Sequence, residues 1–378
     1  MIERTVYDDD HETFRDLVRR FFEREVAPHH AAWEAQGFVP RDLWRKAGAA
    51  GLLCTSAPED YGGLGLDRRY AAIVFEEQAR LGLSGPGFSV HSEIAAPYVV
   101  AYGSEDIKRR WLPGLISGEV IAAVGLTEPG AGSDLASIKT SAIRDGDHYI
   151  VNGQKTFISN GHNCDLVVLA VKTDPAQRAK GVSLLLVETD RPGFSRGAPL
   201  HKLGNKAQDT CELFFDNVRV PVSNRLGAEG EGFVHLMQEL PWERVQIAVS
   251  AIATAESVLE ETLRYVKERK AFGKQLIEFQ ATRFALAELQ TELQIGRVFV
   301  DRCLELVCDG KLDARTAAMA KYWSTDLMCK LIDHCLQLHG GYGYMVEYPV
   351  ARAFADARVT RIYGGANEIM KEIIGRSL

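Results

Sequence analysis

The chain has no long apolar run. Among its 378 residues no stretch reaches the roughly 18 apolar residues of a membrane helix, so no membrane span is expected. Basic excess is missing too. Lys and Arg number 44 against 51 Asp and Glu, a net charge of −7, which provides no basic stripe for nucleic acid. Cys54, Cys164, Cys211, Cys303, Cys308, Cys329 and Cys335 form no CxxC. Their spacings, taken with His334 and His339, match no zinc pattern, so no metal site is expected. The thiols read as reduced and mostly small core residues. GxGxxG is absent, and with it the fingerprint of a doubly wound dinucleotide fold. The opening MIERTVYDDDHETF is acidic and has no apolar signal core, so the expected compartment is the cytoplasm. No repeat, low-complexity tract or long linker appears.

What is present divides into three regions. Residues 1–119 read as helices: Phe14, Leu17, Val18, Phe21, Phe22 and Val26 form one stripe at helical spacing. Residues 120–228 switch to short β-rich runs bounded by Gly, Asp or Pro. The spacing predicts a hairpin at Asn152-Gly153 and an antiparallel β domain. Residues 229–378 return to long helices with short connections, the pattern of a bundle.

Several short stretches carry chemistry. GLTEPGAGSD (125–134) has the glycines and small side chains that let backbone N–H groups approach a phosphate or a ring edge. RKAFGKQLIEFQ (269–280) groups Arg269, Lys270 and Lys274 about a glycine; it suits phosphate, or equally a solvated turn. LPWERVQIA (240–248) opens a helix, where Glu243 complements the macrodipole as well as any acid would. Gly340-Gly341 after QLH suits a helix cap. RIYGGANEIMKE places Gly364-Gly365 where backbone turns or passes close to something.

Together GLTEPGAGSD, NGQKTFISNG, ERKAFGKQLIEFQ, QLHGGYGY and RIYGGANEIMKEI stand in the order and spacing of the acyl-CoA dehydrogenases. The chain resembles that family from PEDYGGLG to its last helix. SGPGFSVHSEI, NKAQDT, MAKYW and IYGGANEIMKE are most similar to the long-chain subgroup. The resemblance implies an α+β fold: an N-terminal helical domain, a middle antiparallel β-barrel-like domain and a C-terminal four-helix bundle.

It also implies FAD. Leu126, Thr127 and Ser133 would approach the flavin, with Ser133 also near the CoA pyrophosphate. Phe157, where the family more often has Trp, and Ser159 would cover and hydrogen-bond the ring. Arg269, Phe272 and Gln280 would hold the pyrophosphate and adenine side, and Asn367 would join the cofactor set. Gln337 and Gly341 would reach the FAD of a neighbouring subunit, which implies a homotetramer.

Most of the family has a Glu directly after the Tyr of the C-terminal motif, where this chain has Gly364. The long-chain and isovaleryl enzymes take their base from the helix that begins the bundle, and Glu243 stands at that position. Arg244 and Gly365 would lie on the substrate side, and the Gly364 N–H would donate to the thioester oxygen. The implied reaction is α,β-dehydrogenation of a long-chain or branched acyl-CoA to the trans-2-enoyl-CoA. Glu243 takes the α-proton, the β-hydride passes to flavin N5, and electrons go on to electron-transferring flavoprotein. If both positions face one α-carbon, Glu243→Gly with Gly364→Glu should recover part of the activity. Two alternatives stay open: an oxygen-using oxidase or monooxygenase of the same fold, and a non-catalytic FAD- or acyl-CoA-binding protein.

Overall fold

The computed structural model describes residues 2–378. The N-terminal part holds α1 (Asp9–Phe21), α2 (His30–Gln36), α3 (Arg41–Ala49), α4 (Arg68–Arg80), α5 (Phe88–Val90), α6 (Ala96–Tyr102) and α7 (Glu105–Ser117). A π-helical turn, His91–Ala95, joins α5 to α6. Such turns are rare and cluster at functional sites.

The middle part is one sheet of β1 (Ala122–Gly125), β2 (Ser141–Asp145), β3 (His148–Ser159), β4 (Leu166–Lys172), β5 (Val182–Glu188), β6 (Phe194–Arg196), β7 (Thr210–Pro221) and β8 (Arg225–Leu226). Strand order is β6-β7-β3-β2-β4-β5-β8, with β1 beside β4. Most pairs are antiparallel, but β1 and β2 run parallel to β4, so the sheet is mixed. β4 and β5 are buried along their whole length. Their period of two splits them between two cores. Leu166, Val168, Leu184 and Leu186 face the helices, while Val167, Leu169, Leu185 and Val187 fill the core of the β domain.

The hairpin expected at Asn152-Gly153 is not there. β3 runs through both residues, and its register against β7 shifts between Val151 and Gly153. The β2–β3 turn falls instead at Gly146, whose φ is +62°. Asn152 Oδ1 accepts from the Asn217 N–H at 2.8 Å, and a Cβ on Gly153 would meet Thr140 Oγ1 at 2.6 Å. The Asn-Gly pair is therefore a bulge with no room for a side chain.

The C-terminal part is α8 (Gly232–Glu268), α9 (Gln280–Cys308), α10 (Ala314–His339), α11 (Pro349–Ala357) and α12 (Asn367–Gly375). α8 begins well before LPWER and continues through Pro241. Glu243 thus lies about three turns inside a helix. The helix-start explanation of its charge does not apply.

N- and C-terminal helices are cross-linked by buried ions. Arg297 binds both oxygens of Glu256, at 2.8 and 2.7 Å, and reaches Glu76 at 2.9 Å. Arg15 also reaches Glu76, at 2.8 Å. Burial alone would raise the Glu76 carboxyl; Arg297 and Arg4 hold it well below its ordinary range. Among the described residues no helix is long and apolar enough to cross a membrane, and no cluster of His, Cys, Asp and Glu could hold a metal.

Candidate active site

Four expected residues converge where α8 meets the loop before α12. Glu243 is 6% exposed and Arg244 equally so. The Arg244 Nε donates to the Gly364 carbonyl at 3.4 Å. Gly364 and Gly365 have φ of +65° and +95°. A Cβ on Gly364 would meet Ile247 Cδ1 at 2.4 Å. Both positions therefore need glycine for conformation, and Gly364 for space as well. Among the described residues the Gly364 N–H donates to no acceptor. It is a free donor on the loop that packs against Ile247, one turn after Glu243 on α8.

Burial pushes Glu243 up to about 7; Tyr98 draws it down, Glu239 pushes it up, and Arg244 draws it down. The Tyr98 hydroxyl donates to Glu243 Oε1 at 2.9 Å. Tyr98 was not expected here, since an aromatic in an apolar helix reads as core. Lys321 was missed as well. It is fully buried, donates from Nζ to the Gly365 carbonyl at 2.7 Å and to Asn367 Oδ1 at 2.9 Å, and burial lowers it to about 8. A lysine within the apolar MAKYW was the available signal, because a buried ammonium needs fixed acceptors.

Asn367, expected among the cofactor contacts, points inward. It is 1% exposed, accepts from Lys321, and donates to Thr325 Oγ1 and Asp326 Oδ1, each at 3.0 Å. Its side chain fixes the start of α12 and leaves no polar atom for a ligand.

The glycine-rich loop is pinned by another buried pair. Lys155 Nζ donates to the Leu126 carbonyl at 3.0 Å and to Glu128 Oε1 at 2.8 Å. Glu128 also accepts from the Lys139 and Thr140 N–H groups, at 2.6 and 2.9 Å. The Thr127 carbonyl accepts from the Thr156 N–H at 2.9 Å, which ties the loop to β3. Ser133 is exposed, and a Cβ on Gly130 or Gly132 would meet nothing. Phe157 has a φ of +59° and is 67% exposed, at a second shift of register in β3, and Ser159 is half-buried opposite Thr210. A large aromatic held out of the sheet in left-handed backbone is costly unless its ring meets something flat. Free amide donors, open glycines and that exposed ring form a donor set and platform that suit an isoalloxazine.

The remaining expected residues lie elsewhere. Arg269 and Gly341 line one depression of about 520 Å³ with Tyr265, His339, Gly340 and Tyr342. The Arg269 guanidinium lies 5.7 Å from the centre of the Tyr342 ring. Phe272, φ +51° and 95% exposed, tips the adjoining hairpin; Gln280 and Gln337 are exposed nearby in sequence. Arg269 and Gly341, expected on different cofactors, thus share one depression. Arg269, the C-cap of α8, stands 26 positions after Glu243, about 39 Å at 1.5 Å per residue.

Comparison with known proteins agrees with this geometry. The acyl-CoA dehydrogenase N-terminal, middle and C-terminal domain models match residues 8–119, 123–218 and 230–378. A long-chain specific acyl-CoA dehydrogenase of pig mitochondria is 51% identical over 377 residues, covering 99% of this chain and 88% of its own. The crystal structure of an acyl-CoA dehydrogenase from Geobacillus kaustophilus superimposes with a TM-score of 0.98 at 48% identity, over 99% of each chain. A glutaryl-CoA dehydrogenase from Mycobacterium smegmatis, solved with FADH2, gives 0.91 at 30% identity over 98% of this chain and 95% of that one. With the fold matched from end to end and a site that suits a flavin, the chain belongs to the acyl-CoA dehydrogenase family, enzymes that depend on FAD and act on acyl-CoA.

Proposed function

We propose that the enzyme dehydrogenates a long-chain or branched acyl-CoA at the α,β positions, with Glu243 as the base that removes the α-proton. The observation that carries this reading is a buried carboxyl, raised to about 7, one turn before Ile247 on α8, the residue that packs against Gly364 with its unpaired N–H. An α-C–H next to a thioester is a weak acid. It needs a base poised near the working pH and a donor for the charge that grows on the thioester oxygen. Glu243 Oε1 is occupied by Tyr98, which leaves Oε2 to take the proton. Arg244 and Lys321 hold the carbonyls of Gly364 and Gly365, and so anchor the two peptide units that follow the Gly364 N–H.

FAD, when bound, supplies the two-electron oxidant. Leu126, Thr127, Ser133, Phe157 and Ser159 would hold its flavin side. A hollow of about 400 Å³, lined by Ser92, Ala96, Pro97, Val100 and Glu239 and bounded by the charged Asp67 and Arg68, lies one turn of α8 from Glu243 and has the volume for an acyl tail. Small residues on the α6 side leave the room.

The separation of Glu243 from Arg269 supports a composite cofactor site. Arg269, Phe272, Gln280, Gln337 and Gly341 would complete the FAD site of a partner subunit, and the enzyme would be a homotetramer. Electrons would pass to electron-transferring flavoprotein. Seven free thiols fit a reducing compartment; the cytoplasm is the expectation, while the pig relative is named as mitochondrial. Anaerobic flavin bleaching across acyl-CoA chain lengths and branching tests the substrate. Slow reoxidation by air, relieved by electron-transferring flavoprotein, is expected; fast reoxidation by air would favour an oxidase.

A further inference from the structure

Two helices cross at the buried carboxyl with matched residues. Tyr98 and Tyr102 lie one turn apart on α6; Glu239 and Glu243 lie one turn apart on α8. The Tyr98 hydroxyl donates to Glu243 at 2.9 Å, and the Tyr102 hydroxyl donates to Glu239 Oε1 at 2.8 Å. The pairing 98 with 243 and 102 with 239 forms a two-rung ladder between antiparallel segments. A third contact continues it outward: the Tyr102 ring stacks on His235, one turn before Glu239, with centroids 3.9 Å apart. Burial falls from the first rung to the second, and His235 beyond it is buried again. Glu243 is buried and Glu239 is half-exposed on the wall of the hollow.

We propose that Tyr98 and Glu239 are positioning residues that set the proton affinity of Glu243 in opposite directions. The inference rests on the reading of Glu243 as the base. Tyr98 holds Oε1 and stabilises the ionised form through its hydrogen bond. Glu239 places a second negative charge one turn away and opposes that form. Tyr98 thus keeps the base ionised near neutral pH, while Glu239 keeps it basic enough to accept a proton.

The other charged groups around Glu243 are already committed. Arg244 on α8 turns to the Gly364 carbonyl. Lys321 on α10 is held by Gly365 and Asn367. Glu93, from the π-helical turn, accepts from Arg68 on α4 and from the Trp242 indole at 3.1 Å. Glu239 forms no ion pair among the described residues; it shares the Tyr102 hydroxyl with Gln238 Oε1, and the titratable group that faces it is His235, whose imidazole burial pushes down. Its charge is therefore free to act on Glu243.

The test uses the full-length flavoprotein. The infrared carbonyl band of protonated Glu243, identified by its loss in Glu243→Gln, is titrated in Tyr98→Phe, in Glu239→Gln and in the double variant. The pH of half-maximal anaerobic flavin bleaching is read in parallel. Tyr98→Phe should move both midpoints up by roughly one pH unit, and Glu239→Gln should move them down by a similar amount. The double variant should return near the parent. Shifts in one direction only, or no shift in either variant, would overturn the proposal. Should Tyr98→Phe fail to fold, the downward shift of Glu239→Gln still decides. Flavin bleaching that survives in Glu243→Gln would remove the underlying reading of the base, while the infrared midpoints would still report on the ladder.

Discussion

The Lys321 ammonium, buried in α10, donates to the carbonyl of Gly365 at 2.7 Å. It joins α10 to the loop that presents the Gly364 N–H. Hydrogen bonds that involve a charged group contribute about 1.5–3 kcal/mol each. Lys321→Met should lower stability by a few kcal/mol and slow substrate-dependent bleaching by about 10- to 100-fold. Differential scanning calorimetry and stopped-flow absorbance measure the two. A variant that is destabilised but bleaches at the parent rate would show that the clamp does not position the loop for chemistry.

Moving the carboxylate to position 364 needs more than a double substitution. Gly364 has a φ of +65°, and a Cβ there would meet Ile247 Cδ1 at 2.4 Å. A side chain in left-handed backbone costs about 1–2 kcal/mol even without the contact. Glu243→Gly with Gly364→Glu is therefore expected to recover little activity. Adding Ile247→Val, which removes Cδ1, should raise recovery at least several-fold in the same bleaching assay. Equal activity in the double and triple variants would mean that Ile247 is not the obstacle.

Glu243 stands at about 7 against an ordinary 4.5, because burial opposes its charge. A group whose pKa is raised on folding gives stability that is full below the unfolded value and is lost as pH rises through the folded one. Over that window the loss is at most about 3.4 kcal/mol. Glu243→Gln should thus melt higher than the parent at pH 8, and the difference should shrink towards pH 4.5. The parent's bleaching rate should fall about tenfold per pH unit below about pH 7, because only the ionised base accepts a proton. A flat rate profile from pH 5 to 8 would be inconsistent with this base.

If one FAD draws Glu243 from one subunit and Arg269 from another, two inactive chains can restore a site. Mixed oligomers of Glu243→Gln and Arg269→Ala should bleach with substrate although neither parent oligomer does so efficiently. Co-refolding followed by stopped-flow assay checks this. No recovery in verified hybrids would place both residues in the same subunit's site or remove Arg269 from it.

Much of this was legible in the sequence. The three regions followed from hydrophobic period, and the motifs led to Glu243, Arg244, Gly364 and Gly365, which the fold brings together. Three readings failed for physical reasons. Asn152-Gly153 carries the strongest local hairpin signal, yet pairing with Asn217 on β7 makes it a bulge, a nonlocal contact that local propensity does not contain. LPWERVQIA reads as a helix start, yet α8 begins at Gly232 and runs through Pro241, a residue that local propensity places poorly inside a helix. Asn367 follows the glycine loop and so looked ligand-facing, but Lys321, distant in sequence, turns it inward. Tyr98, Glu128, Lys155 and Lys321 gave little signal, since a buried polar residue announces itself only once its partners are in place.

The central claim is that Glu243 is the base. Glu243→Gln keeps the shape of the side chain and removes its basicity. Mixed anaerobically with a long-chain acyl-CoA, the variant should retain its yellow FAD and bleach at least about a thousand-fold more slowly than the parent. Bleaching near the parent rate would contradict the account.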